Sequence, residues 1–290
     1  MEPKIIAEEN YIDKARILAE RLNTEYEAVP DKEINRSVKR AGVPVLLLTK
    51  KGLSLTDGET SLFGDFTAME RRIKKNNLYH EMIVKAAKFK KMQADLNREE
   101  LVAFDATAGL GEDSLLLAAV GFQVDCVEHN PITFLLLSDA LERAKAATDC
   151  PAVCEAASRM RLHLGESIEI LRRLAGMARE QEDEEATGDG GEVAATGDGG
   201  EVAAVRQPDV IFLDPMFPER KKSSLVKKKL QMIQSMEPPA SEEVELLEAA
   251  KAAAPSKIIV KRPVRGEYLA GEKPDYSIEG KVIRYDLFKE

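Results

Sequence analysis

The sequence predicts a doubly wound α/β fold, in which helices cover both faces of a mostly parallel sheet, preceded by a small α+β N-terminal part. Three observations lead to this prediction. From residue 101 onward, short apolar runs alternate with helical stretches, as in successive strand and helix units. Several of these runs are continuously apolar, as strands covered on both faces must be. Polar residues follow the runs directly, at the strand ends where such sheets bind ligands.

The predicted elements of the α/β domain, which we assign to residues 78–290, follow one another in a regular series. Strands are expected at LVAFDA, FQVDCVE, RLHLGES, DVIFLD and KIIVKR, followed by the segment GKVIRYDLF. Helices are expected at GEDSLLLAAVG, PITFLLLSDALERAKAA, IEILRRLAGMA and EEVELLEAAKAAA. Because strand and helix alternate along most of this series, neighbouring strands are expected to be parallel.

The residues before position 78 follow a different pattern, and we assign 1–77 to a small α+β N-terminal subdomain. YIDKARILAERLN has the period of an amphipathic helix. VPVLLLTKKGLSLTD predicts a hairpin that turns at Lys50 to Gly52, and TSLFGDF predicts a short strand. The stretch 77–92, NLYHEMIVKAAKFKKM, is predicted to form one amphipathic helix with basic residues on its polar face.

The composition is that of a soluble globular protein, with 44% hydrophobic and 32% charged residues. No apolar run approaches the roughly 18 residues needed to cross a bilayer. The first residues lack the apolar segment of a signal peptide, so we expect a cytoplasmic protein. Cys126, Cys150 and Cys154 form a sparse, odd set that is typical of reduced thiols. Because CPAVC lacks the spacing of a zinc or redox pair, no metal site is predicted.

The net charge of −9 is concentrated in residues 180–204. This segment contains ATGDGGEVA twice in tandem and no Lys or Arg, so the rest of the chain is electrically balanced. Acidic, glycine-rich repeats without aromatic residues cannot bury enough apolar area to offset the entropy of ordering them. We predict a disordered surface insertion at about 180–207, whose Asp and Gly spacing matches no calcium-binding loop.

The first strand of the α/β domain is followed by DATAGLGED, residues 105–113. Gly109 and Gly111 allow a tight turn that brings the backbone close to a ligand, just before the electropositive start of a helix. Ser114 stands where the third glycine of a dinucleotide fingerprint would be required, which argues against an NAD-type oxidoreductase. A plain turn would explain the glycines but not the acids around them, namely Asp105, Glu112 and Asp113.

The next two strand ends also carry carboxylates. Glu128, at the tip of the second strand, is placed to accept hydrogen bonds from both hydroxyls of a ribose. His129 draws attention only through its position at the same tip. Glu166 and Ser167 follow the third strand, where they would meet the edge of an adenine. Each of these residues alone could be an ordinary surface residue, but three successive strand ends that carry acidic residues favour a nucleoside site.

The fourth strand ends in LDPMFP, which cannot continue a strand because proline lacks the N–H that a sheet requires. A carboxylate from Asp214 and the carbonyl of Pro215 would accept the two N–H bonds of a planar amine and orient its lone pair towards an electrophile. Phe217 would stack on the base that carries this amine. The competing interpretation is a proline-terminated strand with a capping Asp.

Five motifs, DATAGLG, VEHNP, LDPMFP, SSLVKKK and IIVKRP, together resemble the bacterial ribosomal small-subunit methyltransferase J family. The resemblance runs from about residue 35 to the carboxyl end, apart from the acidic insertion. It implies a class I, Rossmann-like methyltransferase that uses S-adenosyl-L-methionine to methylate a guanine N2 of 16S rRNA. The implied partner is 16S ribosomal RNA or the small ribosomal subunit.

The same resemblance assigns roles to the strand-end residues. Asp214, Pro215 and Phe217 are the implied catalytic residues, and Met216 replaces the second proline of the wider amine-methylating motif. Glu112 stands where relatives often have Arg and Glu166 where they often have Ser, so these assignments depend more on the backbone position than on the side chain. The implied cofactor-binding residues are Asp105, Gly109, Gly111, Glu112, Asp113, Glu128, His129, Glu166, Ser167 and Asp214.

Basic residues beside the amine-binding loop are expected to contact RNA phosphates. They are Arg220, Lys221, Lys222, Lys227, Lys228, Lys229, Lys261 and Arg262. The stretch 71–91 holds a further group of Lys and Arg residues. Two alternatives would share all of these features: an amine methyltransferase of the same fold that acts on another nucleic acid or on protein glutamine, and a non-catalytic RNA-binding module that keeps the methyltransferase fold.

Overall fold

A computed structural model describes residues 3–88, 101–176, 205–215 and 242–289, which form two sheets and the helices that cover them. The predicted acidic insertion lies outside the described residues, apart from 205–207. Within the described ranges, no helix has both the length and the apolar character that crossing a membrane requires.

The first sheet lies in the N-terminal part of the chain and has the strand order β2-β1-β3-β4-β5. Strand β1 pairs in parallel with both β2 and β3, whereas β3, β4 and β5 are antiparallel. The hairpin closes with Thr49 opposite Gly52, which confirms the predicted turn. The strands are β1 Ile5–Glu8, β2 Tyr26–Val29, β3 Val45–Thr49, β4 Gly52–Thr56 and β5 Ser61–Leu62, and the helices are α1 Ile12–Leu22 and α2 Ile34–Ala41.

The prediction of one helix over 77–92 is wrong in the part that the structure describes. Residues 77–88 instead contain the end of α4 Lys75–Leu78 and the whole of α5 Met82–Ala87, and a further short helix, α3 Glu70–Ile73, precedes them. The backbone is extended at Lys74 and Glu81, with ψ of 134° and 133°. The Glu81 carboxylate accepts two hydrogen bonds from Arg72, at 2.9 and 3.0 Å. This tertiary ion pair holds the chain in a bend that helical periodicity alone does not reveal.

The second sheet has seven strands in the order β11-β12-β10-β9-β6-β7-β8. All neighbouring strands are parallel except β12, which is antiparallel to both β10 and β11. The chain starts this sheet in its middle at β6, builds outward to β8, and then returns to the other side of β6. The strands are β6 Val102–Asp105, β7 Gln123–Glu128, β8 Met160–Leu164, β9 Val210–Leu213, β10 Lys257–Pro263, β11 Tyr276–Glu279 and β12 Ile283–Phe288.

Helices cover both faces of this sheet, so the doubly wound prediction is confirmed. On one face, α5 to α8 pack on Val124, Cys126 and Phe212; on the other, α9 and α10 pack on Phe104 and Ile211. Helix α8 and strand β11 are not among the elements that the sequence pattern predicts. The helices are α6 Glu112–Ala119, α7 Pro131–Lys145, α8 Pro151–Ser158, α9 at 167–176 and α10 Glu243–Ala252.

Helix α7 joins the two sheets. Its residues Ile132, Leu135 and Leu136 pack in a cluster with apolar side chains of β1, β3 and β4. Below them, the buried carboxylate of Asp139 accepts hydrogen bonds from the backbone N–H of Leu53 at 2.9 Å, from Arg143 at 2.8 Å and from Lys14 at 3.0 Å. The N-terminal sheet is therefore held on the second sheet by one buried carboxylate as well as by apolar packing.

Replacing Asp139 by Ala is expected to lower the free energy of unfolding by about 2–4 kcal/mol, because the Leu53 N–H and the Arg143 guanidinium lose a buried acceptor. Urea unfolding followed by circular dichroism measures this change. The matched control is Glu142→Ala, because Glu142 is exposed and its carboxylate lies 3.9 Å from the Lys14 ammonium. Equal stability of the two variants would contradict the anchoring role of Asp139.

Candidate functional site

The candidate site lies where the carboxyl ends of β6, β7, β9 and β10 meet. Asp105 ends β6 and pairs with Cys126 of β7 and Phe212 of β9. Leu213 pairs with Val260, so the next residues along these strands, Asp214 and Lys261, also lie side by side. Strands that follow β6 in the chain are added first on one side of it, as β7 and β8, and then on its other side, as β9 and β10. The boundary between β6 and β9 is therefore the switch point of the sheet, where doubly wound sheets bind ligands.

The glycine loop between β6 and α6 has a backbone that only glycine accommodates well. Gly109 and Gly111 have φ of 54° and 74°. A Cβ atom on Gly111 would lie 2.7 Å from Cδ1 of Leu137 and 3.1 Å from Cζ of Phe66, closer than atoms in contact approach. Gly111 immediately precedes α6, so the loop turns sharply and presents its backbone at the start of that helix.

Asp105 holds this loop from inside. Its carboxylate accepts a hydrogen bond from the backbone N–H of Thr107 at 3.0 Å and another from the hydroxyl of Ser114. Burial raises the pKa of Asp105 to about 7. The side chain is only 1% exposed and its acceptors are used within the loop, so the direct cofactor contact predicted for Asp105 does not fit the structure. Ser114, which stands in place of the third glycine of a dinucleotide fingerprint, donates the hydrogen bond from α6 that holds the Asp105 carboxylate.

Glu128 connects the second strand end to the glycine loop. One carboxylate oxygen accepts from the backbone N–H of Gly109 at 3.0 Å, and the other accepts from the N–H of Asn130 at 2.8 Å. His129 is exposed beside it, with Nδ1 at 3.6 Å from a carboxylate oxygen of Glu128.

The third strand end is joined to the first by Ser167, whose hydroxyl donates to the carbonyl of Ala106. Glu166 precedes it and is exposed. The structure therefore brings both predicted residues to the mouth of the site, and it gives Ser167 a structural contact that sequence reasoning had not identified.

Lys261 lies between two carboxylates and ties three elements together. Its ammonium is 2.7 Å from Oδ2 of Asp113, at the start of α6, and 2.8 Å from Oδ2 of Asp214, at the end of β9. The backbone N–H of Asp214 donates to the hydroxyl of Thr107 at 2.7 Å. We call this arrangement the Lys261 bridge. Lys261 had been predicted to contact RNA phosphate, and this pairing places it in the site instead.

The bridge sets the electrostatics of the site. Burial raises the pKa of Asp214, although Lys261 opposes this shift. Burial alone would lower the pKa of Lys261, but Asp214 and Asp113 outweigh it, so the ammonium is held in its charged form. Tyr285 pairs with Lys261 across β10 and β12, and burial raises the pKa of its phenol.

Asp214 keeps one acceptor oxygen for another group. Its Oδ2 is engaged by Lys261, whereas Oδ1 has no hydrogen-bond partner among the residues that the structure describes. The side chain is 31% exposed, so this oxygen is accessible at the mouth of the site. A carboxylate held by one oxygen and open at the other is suited to receive an N–H donor.

Arg262, also predicted to contact RNA, is directed to the other face of the sheet. Its guanidinium is buried, pairs with Glu243 at 3.0 Å and donates to the carbonyl of Glu267 at 2.9 Å. A side chain that is 4% exposed and paired in this way is not placed to meet a phosphate, so the prediction is wrong. The other predicted residues that lie outside the described ranges are Phe217, Arg220, Lys221, Lys222, Lys227, Lys228 and Lys229.

Arg72 belongs to the basic stretch 71–91, and its contact with α6 is not predicted from the sequence. Besides its pair with Glu81, its Nη1 lies 3.5 Å from a carboxylate oxygen of Glu112, the first residue of α6. The predicted cofactor residue Glu112 therefore has an ion-pair partner on α3. Only the tertiary fold brings these residues together, because 39 residues of chain separate them.

Comparison with known proteins gives a family match over most of the chain. The family described as "Putative SAM-dependent methyltransferase" matches residues 32–182 and 196–290. The ribosomal RNA small subunit methyltransferase J of Thioalkalivibrio sulfidiphilus is 33% identical over 289 residues, which cover 97% of this chain and 95% of the relative. The protein of the same name from Neisseria gonorrhoeae is 32% identical over 236 residues, covering 81% and 79%.

A solved structure agrees with this match. The crystal structure of a SAM-dependent methyltransferase from Neisseria gonorrhoeae aligns with a TM-score of 0.64 and 25% identity, over 99% of this chain and 95% of that protein. These findings confirm the resemblance that the five sequence motifs indicated, and they confirm the class I methyltransferase fold.

Replacing Asp105 by Asn is expected to remove a pH dependence of stability. The folded protein holds a proton on Asp105 up to about pH 7, whereas the ordinary pKa of the group is 3.8. The protonated Asp105 therefore contributes to the free energy of unfolding. This contribution is fully present below about pH 4, decreases as the pH rises to about 7, and does not change further above about pH 7. The wild type should lose about 1.4 kcal/mol per pH unit relative to Asp105→Asn in this window.

Urea unfolding of the wild type and of Asp105→Asn between pH 4 and 8 tests this expectation. Asp149→Asn serves as the control, because Asp149 is exposed and its replacement should follow the wild-type curve. Parallel curves for the wild type and Asp105→Asn would rule out a raised pKa at Asp105.

Proposed function

This chain belongs to the ribosomal RNA small subunit methyltransferase J family, and from that premise we propose that it methylates the exocyclic N2 amine of a guanine in 16S ribosomal RNA. The methyl donor is S-adenosylmethionine. The observation that carries the proposal is the Asp214 carboxylate, which is fixed through Oδ2 at the switch point of the sheet and keeps Oδ1 for an N–H donor.

The side chains at the strand ends fit this cofactor. S-adenosylmethionine carries a sulfonium and an ammonium, and the site offers the carboxylates of Asp113, Glu128 and Asp214. At Gly109 only the carbonyl oxygen of Thr107, at 4.0 Å, lies within 4 Å of a Cβ position, so a ligand can approach the backbone of the glycine loop there. When bound, the cofactor supplies a methyl group on a positively charged sulfur.

We assign the parts of the cofactor to residues as follows. Glu128 would accept hydrogen bonds from the ribose hydroxyls, with His129 beside it. Glu166 and Ser167 would meet the adenine edge. The methionine portion would lie along the glycine loop, against Gly109, Gly111, Glu112 and Asp113. Asp105 would act through the loop that it holds.

The chain's part in the reaction is to bind and orient the amine. A guanine amine is a weak nucleophile because its lone pair is delocalised into the ring. Oδ1 of Asp214 and the carbonyl of Pro215 would each accept one N–H bond, which directs the lone pair away from both acceptors and towards the cofactor. Phe217 would stack on the guanine, with a contribution of about 1–3 kcal/mol. Alignment and exclusion of water require neither a metal nor a covalent enzyme intermediate.

The proposed partner is 16S rRNA or the small ribosomal subunit, and this substrate places the enzyme in the cytoplasm. Arg220, Lys221, Lys222 and the run Lys227 to Lys229 follow the amine-binding loop in sequence, where they would contact phosphates on either side of the target guanine. Since Lys261 and Arg262 are paired with carboxylates, we remove both from the proposed RNA contacts.

Purified protein is expected to form N2-methylguanosine in unmethylated 16S rRNA or small subunits supplied with S-adenosylmethionine. Asp214→Ala should lower this rate by at least about 100-fold, since an interaction that orients the reacting group is lost. Nucleoside mass spectrometry measures the product. Calorimetry with S-adenosylhomocysteine should show that the variant still binds cofactor, as the other contacts remain.

Two results would contradict different parts of the proposal. Absence of N2-methylguanosine with the wild type, on both naked rRNA and subunits, would refute the substrate. A normal rate with Asp214→Ala would refute the role of that carboxylate and leave the substrate assignment in place.

Lys261→Met is expected to move the acid limb of the pH–rate profile to higher pH by about one unit or more, because the cation that lowers the pKa of Asp214 is removed. Asp113 would then still raise the pKa of Asp214, and Arg262 would be the remaining cation that lowers it. Lys261→Arg should restore the wild-type limb. An unchanged limb in Lys261→Met, together with weaker and less salt-dependent RNA binding, would favour the phosphate contact instead.

A further inference from the structure

The helical segment 70–88 has a charge opposite to that of the whole chain. It carries six basic and two acidic side chains, a net charge of +4, whereas the chain has a net charge of −9. Five of the basic side chains are exposed. We call these five side chains, together with exposed Tyr79, the α3–α5 surface; the basic members are Arg71, Lys74, Lys75, Lys85 and Lys88.

The backbone beneath this surface is fixed. Ile73, Leu78 and Ile83 are buried in the core that covers the second sheet. At the end of α5, the ammonium of Lys257 donates to the carbonyls of Ala86 and Lys88, at 2.7 and 2.9 Å. The basic side chains therefore project from a rigid support, so a ligand that binds them need not order the backbone.

Most of the positive charge on the surface is not neutralised internally. Lys74 pairs with Glu70 at 3.3 Å. In the described ranges, no carboxylate lies within ion-pair distance of Arg71, Lys75 or Lys85. Like charges that are not neutralised and lie on one short segment of the chain favour a polyanion, which replaces their counterions.

The exposed ring of Tyr79 favours a nucleic acid over other polyanions. Tyr79 is 43% exposed, and the Lys88 ammonium lies 5.1 Å from the centroid of its ring. A ring that is open to solvent beside several cations offers both base stacking and phosphate contact, as in surfaces that bind single-stranded nucleic acid. A membrane is disfavoured, because the aliphatic side chains of the segment are buried in the core rather than exposed.

The surface adjoins the candidate site. Arg72 lies on the same segment and pairs with Glu112, the residue that follows the glycine loop. We propose that the α3–α5 surface binds single-stranded ribosomal RNA flanking the target guanine, with Tyr79 stacking on one base. This inference rests on the proposed function, since that function supplies the RNA, but it concerns residues other than those of the amine-binding segment.

The test compares two variants that lose the same charge. Arg71→Ala/Lys75→Ala/Lys85→Ala removes three cations from the surface, and Lys32→Ala/Arg36→Ala/Lys39→Ala removes three exposed cations at and before α2. Filter binding measures affinity for a transcribed 16S fragment between 50 and about 300 mM salt. The first variant should bind at least about tenfold more weakly and reduce the salt slope by about 2, and the control should match the wild type.

Turnover separates this proposal from the proposed function. The surface variant should raise the KM for RNA and leave kcat and S-adenosylhomocysteine affinity unchanged. Tyr79→Ala should weaken RNA binding by about 5-fold or more, and Tyr79→Phe should retain it. Equal RNA affinity of the surface and control variants, with an active wild type, would overturn the α3–α5 surface alone. Poly-glutamate binding as tightly as RNA would show a general polyanion surface and would also overturn it.

Discussion

The arrangement of the site depends on one ammonium, that of Lys261. Asp113 and Asp214 come from different elements and point at the same space, so without a cation between them they would repel each other. The bridge ties the start of α6 to the ends of β9 and β10. It also sets how Asp214 is presented, because it occupies one carboxylate oxygen and leaves the other open. The glycine loop, which lies between β6 and α6, is thereby held close to Asp214 at the end of β9.

Much of this site was predictable because parallel strands place their carboxyl ends at one edge. The alternation of strands and helices was enough to bring Asp105, Glu128 and Asp214 to the same region, although more than 100 residues separate the first from the last. The hairpin at Lys50 to Gly52 and the first helix were also predictable, since both depend on local pattern. The sequence could not show which hydrogen bonds these carboxylates make. Asp105 accepts hydrogen bonds from residues of its own loop and of α6, whereas one carboxylate oxygen of Asp214 has no hydrogen-bond partner among the described residues.

The errors arose where a distant partner decides the outcome. Lys261 and Arg262 are neighbours in a basic stretch, but consecutive residues of a strand face opposite sides of the sheet. One meets Asp113 and Asp214, and the other meets Glu243. A run of Lys and Arg reveals charge but not the carboxylates that fold against it. The broken helix at 77–92 has the same origin, because the Arg72–Glu81 pair holds a bend that periodicity does not register.

A site that binds both a cationic cofactor and a polyanion faces conflicting electrostatic demands. Carboxylates at the strand ends favour a sulfonium, but they also repel the phosphates of an RNA that must approach closely. This conflict is resolved if the carboxylates and the basic side chains that bind RNA lie a short distance apart. Screening by salt limits the repulsion between carboxylates and phosphates to roughly 8–10 Å at physiological salt. Arg72 lies at the boundary, with one acidic partner on its own segment and another at the start of α6. Its guanidinium pairs with Glu81 and with Glu112, so it links the basic α3–α5 surface to the acidic start of α6.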